Sequence, residues 1–151
     1  MTGKVRIQAE DFSVAAEIAA MSEGRTEIGA VVSFVGLCRD EGGRLAALEL
    51  EHYPGMAEEE VARVVAQAEE RWPLQGIRVI HRYGKIRPGE NIVLVATASA
   101  HRRAAFEAAD FLMDFLKTRA PFWKREHLSD GSFGGWVEAA QADDAAAERW
   151  S

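Results

Sequence analysis

The residues best suited to chemistry lie in one stretch, Leu116-Lys117-Thr118-Arg119-Ala120-Pro121-Phe122-Trp123-Lys124-Arg125-Glu126. Lys117, Arg119, Lys124 and Arg125 gather positive charge there, although the 151-residue chain carries a formal charge of -6. Phe122 and Trp123 sit between the two basic pairs. Charge held against aromatic surface, where Pro121 turns the backbone, suits an anion site. The plainer alternative is a helix end whose Lys and Arg complement the macrodipole. Lys117 and Lys124 have the sharper chemistry. In a shared pocket each would lower the other's pKa, as would desolvation by Phe122 and Trp123. An easily deprotonated lysine serves as base, acid or nucleophile. Further cations stand elsewhere: Arg39 follows an apolar run, and His101-Arg102-Arg103 opens a helical pattern whose first N–H groups suit phosphate.

Other chemistries are excluded by pattern. His52, His81, His101 and His127 stand at no metal-ligand spacing from one another or from Cys38, so no metal site is expected. Cys38 is the single cysteine, which forbids an intrachain disulfide and fits a reducing compartment. It reads as a small buried hydrophobe rather than a nucleophile. Ser33 lacks a Gly-x-Ser-x-Gly setting, and glycine-rich phosphate loops are absent, so no cofactor is expected. The pI of 5.3 argues against general nucleic-acid binding. No apolar run approaches the roughly 20 residues of a membrane span, and the N-terminus has no signal-peptide pattern. The expectation is a soluble, cytoplasmic protein of one domain over residues 1–151.

The elements that must position these groups follow from periodicity. Val5 and Ile7 mark a short strand, and Asp11 or Ser13 can cap a helix to about Met21. Strands are expected over Ile28 to Val35 and Leu45 to Tyr53, paired with each other. Pro54-Gly55 precedes a helix from about Ala57 to Arg71. Ile77 to Ile86 and Asn91 to Ala98 read as a hairpin with a longer loop. A third helix, about Arg103 to Thr118, has apolar residues on more than one stripe and should be largely buried. Phe122 to His127 reads as extended, Ser129 to Gly135 as a loop and Trp136-Val137-Glu138 as a last short strand. The Ala-rich tail from about residue 140 is helical or frayed. Strands and helices mix without strict alternation, which favours the α+β class.

The stretch around Lys117 closely resembles the signature of the large, catalytic subunit of molybdopterin synthase. So do Phe34-Val35-Gly36-Leu37-Cys38-Arg39, Leu50-Glu51-His52-Tyr53-Pro54-Gly55-Met56, His81-Arg82-Tyr83-Gly84-Lys85-Ile86 and His101-Arg102, in family order. The resemblance implies an α/β hammerhead-like fold with an additional antiparallel sheet. It implies sulfur transfer to cyclic pyranopterin monophosphate, forming the dithiolene of molybdopterin. The sulfur arrives as a thiocarboxylate on the C-terminal Gly-Gly of a small ubiquitin-like partner. By position, Lys117 and Lys124 match the family's essential lysines. Arg39, His101, Arg102, Arg125 and Glu126 match its substrate-binding positions. A homodimer within a heterotetramer is implied. One cysteine cannot run a two-thiol relay, which agrees with sulfur supplied from outside. A non-catalytic scaffold for a ubiquitin-like partner, or an unrelated phosphate-binding domain, are the competing readings. Retention of both lysines opposes the first, and the acidic pI and absent phosphate loops oppose the second. The chain departs from the family at Cys38, Asp40 and Ala140, where relatives more often carry valine, asparagine and arginine.

One geometric expectation follows. Arg102 and Lys117 lie fifteen residues apart on the expected third helix, about 22 Å along its axis at roughly 1.5 Å per residue. Two long side chains close only part of that gap. No Pro or Gly lies between residues 103 and 119 to break the helix. Each site is therefore expected to take His101 and Arg102 from one protomer and Lys117 and Lys124 from its partner.

Overall fold

The computed structural model describes residues 4–40, 42–136 and Trp150. The elements, in order, are β1 (Val5–Gln8), α1 (Val14–Ser22), β2 (Ala30–Leu37), β3 (Leu45–His52), α2 (Met56–Arg71), β4 (Gly76–Arg82), β5 (Gly84–Ile86), β6 (Asn91–Ser99), α3 (Arg102–Thr118) and β7 (Phe122–Leu128). They form two sheets, a four-stranded one ordered β1-β4-β6-β2 and a three-stranded one ordered β5-β3-β7. The first pairs β1 with β4 in parallel and its other strands antiparallel. The second is wholly antiparallel. The α+β class and the separate antiparallel sheet are as expected.

β6 is the central apolar strand, and its alternation sorts the core. Val93 and Val95 join Val61, Val64 and Val65 of α2 and Leu112 and Phe115 of α3 on one face. Leu94, Ala96 and Ala98 meet Met21 of α1 on the other. A smaller cluster of Cys38, Leu45, Leu50 and Ile86 fills the region of the second sheet. Ser13, not Asp11, caps α1, its Oγ accepting from the Ala16 N–H at 3.2 Å. Glu58 accepts from the Gly55 N–H at 2.8 Å and so completes the first turn of α2.

Three expectations are corrected. β2 and β3 do not pair; β2 lies beside β6, and β3 between β5 and β7. Both are apolar runs joined by a glycine-containing loop, so local pattern alone favoured a hairpin, but their best partners are distant. The run Ile77 to Ile86 is two strands, because Gly84 sits at φ +87°, a left-handed conformation open to glycine. That break passes the chain from the first sheet to the second, while the expected pairing of the β4 part with β6 stands. α3 is amphipathic rather than largely buried: Ala105, Ala108, Phe111, Leu112 and Phe115 face the core, whereas Phe106 is 60% exposed. Trp136 lies outside any strand, and Val137, Glu138 and most of the tail lie outside the described residues.

Gly29 passes very close to the end of β6. A Cβ there would sit 2.1 Å from the Ala100 carbonyl oxygen. Gly29→Ala is therefore expected to cost about 2 kcal/mol or more, because rigid backbone must move. Gly134→Ala, which meets open space, serves as the neutral control. Urea unfolding of both variants checks this.

Candidate active site

α3 ends where the sequence places its stop. The Arg119 N–H donates to the Phe115 carbonyl at 2.8 Å, and the Phe122 N–H to the Ala120 carbonyl at 2.8 Å. This tight turn joins Lys117, in the last turn of α3, to Lys124, the third residue of β7. β7 lies against β3 with Phe122 opposite His52 and Lys124 opposite Leu50. Alternation along the strand then puts Phe122 and Lys124 on one face with His52, and Trp123, Arg125 and His127 on the other. Trp123 meets the half-exposed Tyr53 edge-on at 4.8 Å.

A group of rings from three strands gathers at Phe122, the first residue of β7. The His81 ring stacks on Phe122 with centroids 3.9 Å apart and an interplanar angle of 16°. His52 lies 6.1 Å from the same phenyl ring and 4.5 Å from Tyr83. Both histidines are buried. The His81 Nδ1–H donates to the Arg82 carbonyl at 2.9 Å, since a carbonyl oxygen can only accept. His52 Nδ1 is buried and meets no hydrogen-bond partner among the described residues. Burial pushes the His81 pKa down to about 4 from 6.5; the bond to Arg82 opposes this, and the nearby charges of Lys117 and His52 add to it. His81 is thus neutral at pH 7.

The remaining candidates fall in three other places. Arg125 is held between two rings, its guanidinium carbon 4.7 Å from Phe133 and 4.6 Å from Trp136. Its Nε lies 3.3 Å from Glu49 Oε1, which also accepts from His127 Nε2 at 2.7 Å. These bonds, His127's foremost, hold the Glu49 carboxyl below its usual pKa. Arg39 and Glu126 line a surface cavity of about 200 Å³ with Asp40 and Arg44. Glu126 lies 3.9 Å from Arg44. Asp40 Oδ1 accepts from the Leu45 N–H at 2.9 Å, so its carboxylate shapes the loop entering β3. Cys38 is buried, with its thiol 3.7 Å from the Ile86 carbonyl, and burial raises its pKa, against a nucleophilic role. His101 is the N-cap of α3 and Arg102 its first residue; both are exposed, at the end opposite Lys117. The helix between them is continuous. One chain therefore links Lys117 to Lys124 through a short turn but leaves His101 and Arg102 about 22 Å from Lys117 along α3.

The family model described as MoaE protein matches residues 7–119. The chain belongs to the MoaE family. A Mesorhizobium japonicum relative named molybdopterin synthase catalytic subunit is 73% identical over 146 residues, 97% of this chain and 92% of that protein. A solved MoaE protein from Burkholderia ambifaria superposes with a TM-score of 0.83 at 46% identity, covering 99% of this chain and 98% of that one. Molybdopterin synthase from Staphylococcus aureus gives a TM-score of 0.78 at 29% identity, with 89% of this chain and 99% of that chain covered.

The burial of His52 and His81 together was not expected from the sequence, where these two histidines were weighed as metal ligands and as parts of the resembling motifs. The available signal was their position: His52 closes β3 and His81 is the next-to-last residue of β4, places where a polar ring is unusual in an apolar strand. Their burial has a consequence for acid stability. Between pH 6.5 and about 4 the unfolded chain binds a proton at position 81 that the folded chain excludes, so stability falls as pH falls through that window. The loss attributable to this group approaches about 3 kcal/mol at the acid end, from 1.36 kcal/mol per pKa unit. His81→Phe is expected to flatten this dependence, checked by urea unfolding at pH 7 and pH 4.5.

Proposed function

We propose that the chain is the catalytic subunit of a cytoplasmic molybdopterin synthase. It transfers sulfur from the C-terminal thiocarboxylate of a small ubiquitin-like subunit to cyclic pyranopterin monophosphate, forming the dithiolene of molybdopterin. The reading is carried by Lys117 and Lys124, joined across the turn at Arg119–Pro121, with Phe122 on the same face of β7 as Lys124. The name of the 73%-identical relative agrees with it. The thiocarboxylate sulfur bonds to a substrate carbon in place of an oxygen substituent, and water then hydrolyses the resulting thioester, leaving sulfur on the substrate and a carboxylate on the partner. Lys117 stabilises the developing negative charge or transfers the proton, and Lys124 holds substrate or tunes Lys117. An extended Gly-Gly tail offers only backbone and a terminal carboxylate to be read, which suits a narrow channel walled by Phe122 and Trp123. Arg39, His101, Arg102, Arg125 and Glu126 are the proposed substrate-binding groups. Arg125 acts from a guanidinium already braced by Glu49, so it presents a fixed rather than a searching charge.

The active unit is a homodimer within a heterotetramer, with sites shared between protomers. The unbroken α3 requires sharing if His101 and Arg102 meet the same substrate as Lys117. A surface able to bring two copies together is present. β2 is an edge strand of its sheet. Phe34 of β2 and Phe106 of α3 are 41% and 60% exposed and line a cavity of about 410 Å³ with Val32 and Met113. Exposed aromatics on an open sheet edge mark an interaction surface.

Two measurements test this. Lys117→Ala should lose nearly all molybdopterin formation from cyclic pyranopterin monophosphate and thiocarboxylated partner, on the order of 100-fold or more, with fold and partner binding intact; turnover near the parent's would refute the role. Arg102→Ala and Lys117→Ala chains, each weakly active alone, should regain activity when mixed, because a heterodimer holds one intact site. No recovery after confirmed subunit exchange would place each whole site within one chain.

A further inference from the structure

Gly42 and Gly43 sit at φ +71° and +76°, left-handed conformations that turn the chain sharply before Arg44. The backbone there is anchored from both sides. Asp40 Oδ1 accepts from the Leu45 N–H at 2.9 Å. The Ser129 N–H donates to the Arg44 carbonyl at 2.7 Å, and the Ser129 hydroxyl to the Gly43 carbonyl at 2.6 Å. Arg44 therefore leaves a fixed piece of main chain. Its side chain, 65% exposed, lines the cavity of about 200 Å³ with Arg39, Asp40, Leu45 and Glu126. Arg44 lies between the stretches that carry the family resemblance and in none of them. Strand geometry ties this cavity to the face that carries Lys124. Lys124 and Glu126 pair with Leu50 and Leu48 of β3, so their side chains share one face of the sheet. At roughly 3.4 Å per residue they stand about 7 Å apart along β7.

We propose that Arg44 is a further substrate-binding residue: with Arg39 it forms the end of the site that takes the substrate's phosphate, next along β7 from Lys124. The proposal rests on the sulfur-transfer reading for the identity of the phosphate ester, but not for the existence of the anion site. Two guanidiniums at one cavity suit a phosphate, whose oxygens take paired N–H donors. The two acids of the cavity moderate its field without blocking it. Asp40 Oδ1 is already engaged by the Leu45 N–H. Glu126 meets Arg44 at 3.9 Å with both side chains more than half exposed, a contact that contributes little and is released at little cost. An arriving phosphate thus takes over the Arg44 guanidinium, while the anchored backbone keeps that guanidinium within reach of the cavity.

The test separates binding from turnover. Calorimetric titration at low salt measures the Kd of cyclic pyranopterin monophosphate and of inorganic phosphate for the full chain, and the molybdopterin assay with thiocarboxylated partner gives kcat and KM. Arg44→Gln is expected to raise both Kd values about tenfold, the loss of one charge-assisted contact. KM should rise by a similar factor while kcat at saturating substrate stays at the parent's value. Arg44→Lys, which keeps the charge but not the fork, should recover part of the affinity. Arg63→Gln removes the same charge from an exposed position on α2 and should leave every value unchanged. Kd values for the substrate that Arg44→Gln leaves within twofold of the parent's overturn the proposal, whatever happens to inorganic phosphate. An equal loss in Arg63→Gln overturns it too, since net charge alone would then explain the effect. A parent chain that binds both ligands through Arg44 yet forms no molybdopterin leaves the anion site standing and overturns the proposed function instead.

Discussion

The contact on which the site depends is the stack of His81 on Phe122. His81 stands in the last turn of pairing of β4, in the four-stranded sheet, and Phe122 opens β7, in the three-stranded sheet. A ring pair of this kind is worth only about 0.5–1.5 kcal/mol beyond its buried area. Its importance is positional. The same phenyl group follows the end of α3 by four residues, so one contact ties together a helix terminus and both sheets. The break at Gly84 makes this possible, since it lets the chain leave β4 and reach β3 within two residues of His81's neighbour Arg82. A histidine rather than a second phenylalanine at this joint brings a polar ring into a buried place, and its bond to the Arg82 carbonyl meets half of that need.

Charge in this acidic chain divides into groups with partners and groups held ready. Glu17 bridges Arg6 and Arg78, and Arg82 donates to the carbonyls of Ala9 and Asn91 while lying near Asp11 and Glu90. These arginines knit β1, β4 and the start of β6; removing one would leave its buried carboxylate or carbonyl partners unmet. Arg125 belongs with them, braced by Glu49 and two rings. Lys117 and Lys124 do not: among the described residues no ion pair or hydrogen bond engages either ammonium.

Much of this was legible in the sequence because it is local. The end of α3 follows from Pro121, the cap of α1 from Ser13, and the burial of β6 from an unbroken apolar run. The short link between Lys117 and Lys124 follows from seven residues of chain. What was not legible is long-range. Nothing local separates β2 from β3 as partners, since both are apolar strands of eight residues, and only the closure of two sheets decides between them. His52 and His81 are neighbours for the same non-local reason. The amphipathic character of α3 was obscured because Phe106 adds an apolar position beyond the core stripe, and its exposure suits an interface rather than a core.

The depth at which Lys117 emerges is set at the far end of its helix. Ala105 and Ala108 are fully buried, and small side chains there let α3 approach β6 closely. The Thr97 hydroxyl donates to the Ala105 carbonyl at 2.6 Å, which pins the first turns of the helix to the central strand and fixes its position along the axis. With no glycine or proline between that pin and Thr118, the helix transmits this position about 18 Å, from Ala105 to Lys117, at roughly 1.5 Å per residue. His81 and His52 are set independently, by the register of β4 on β6 and of β3 on β7. Lys117 and the two imidazoles are thus located by separate parts of one core, through helix and strand registers that are fixed independently. A site built this way is precise without being locally encoded.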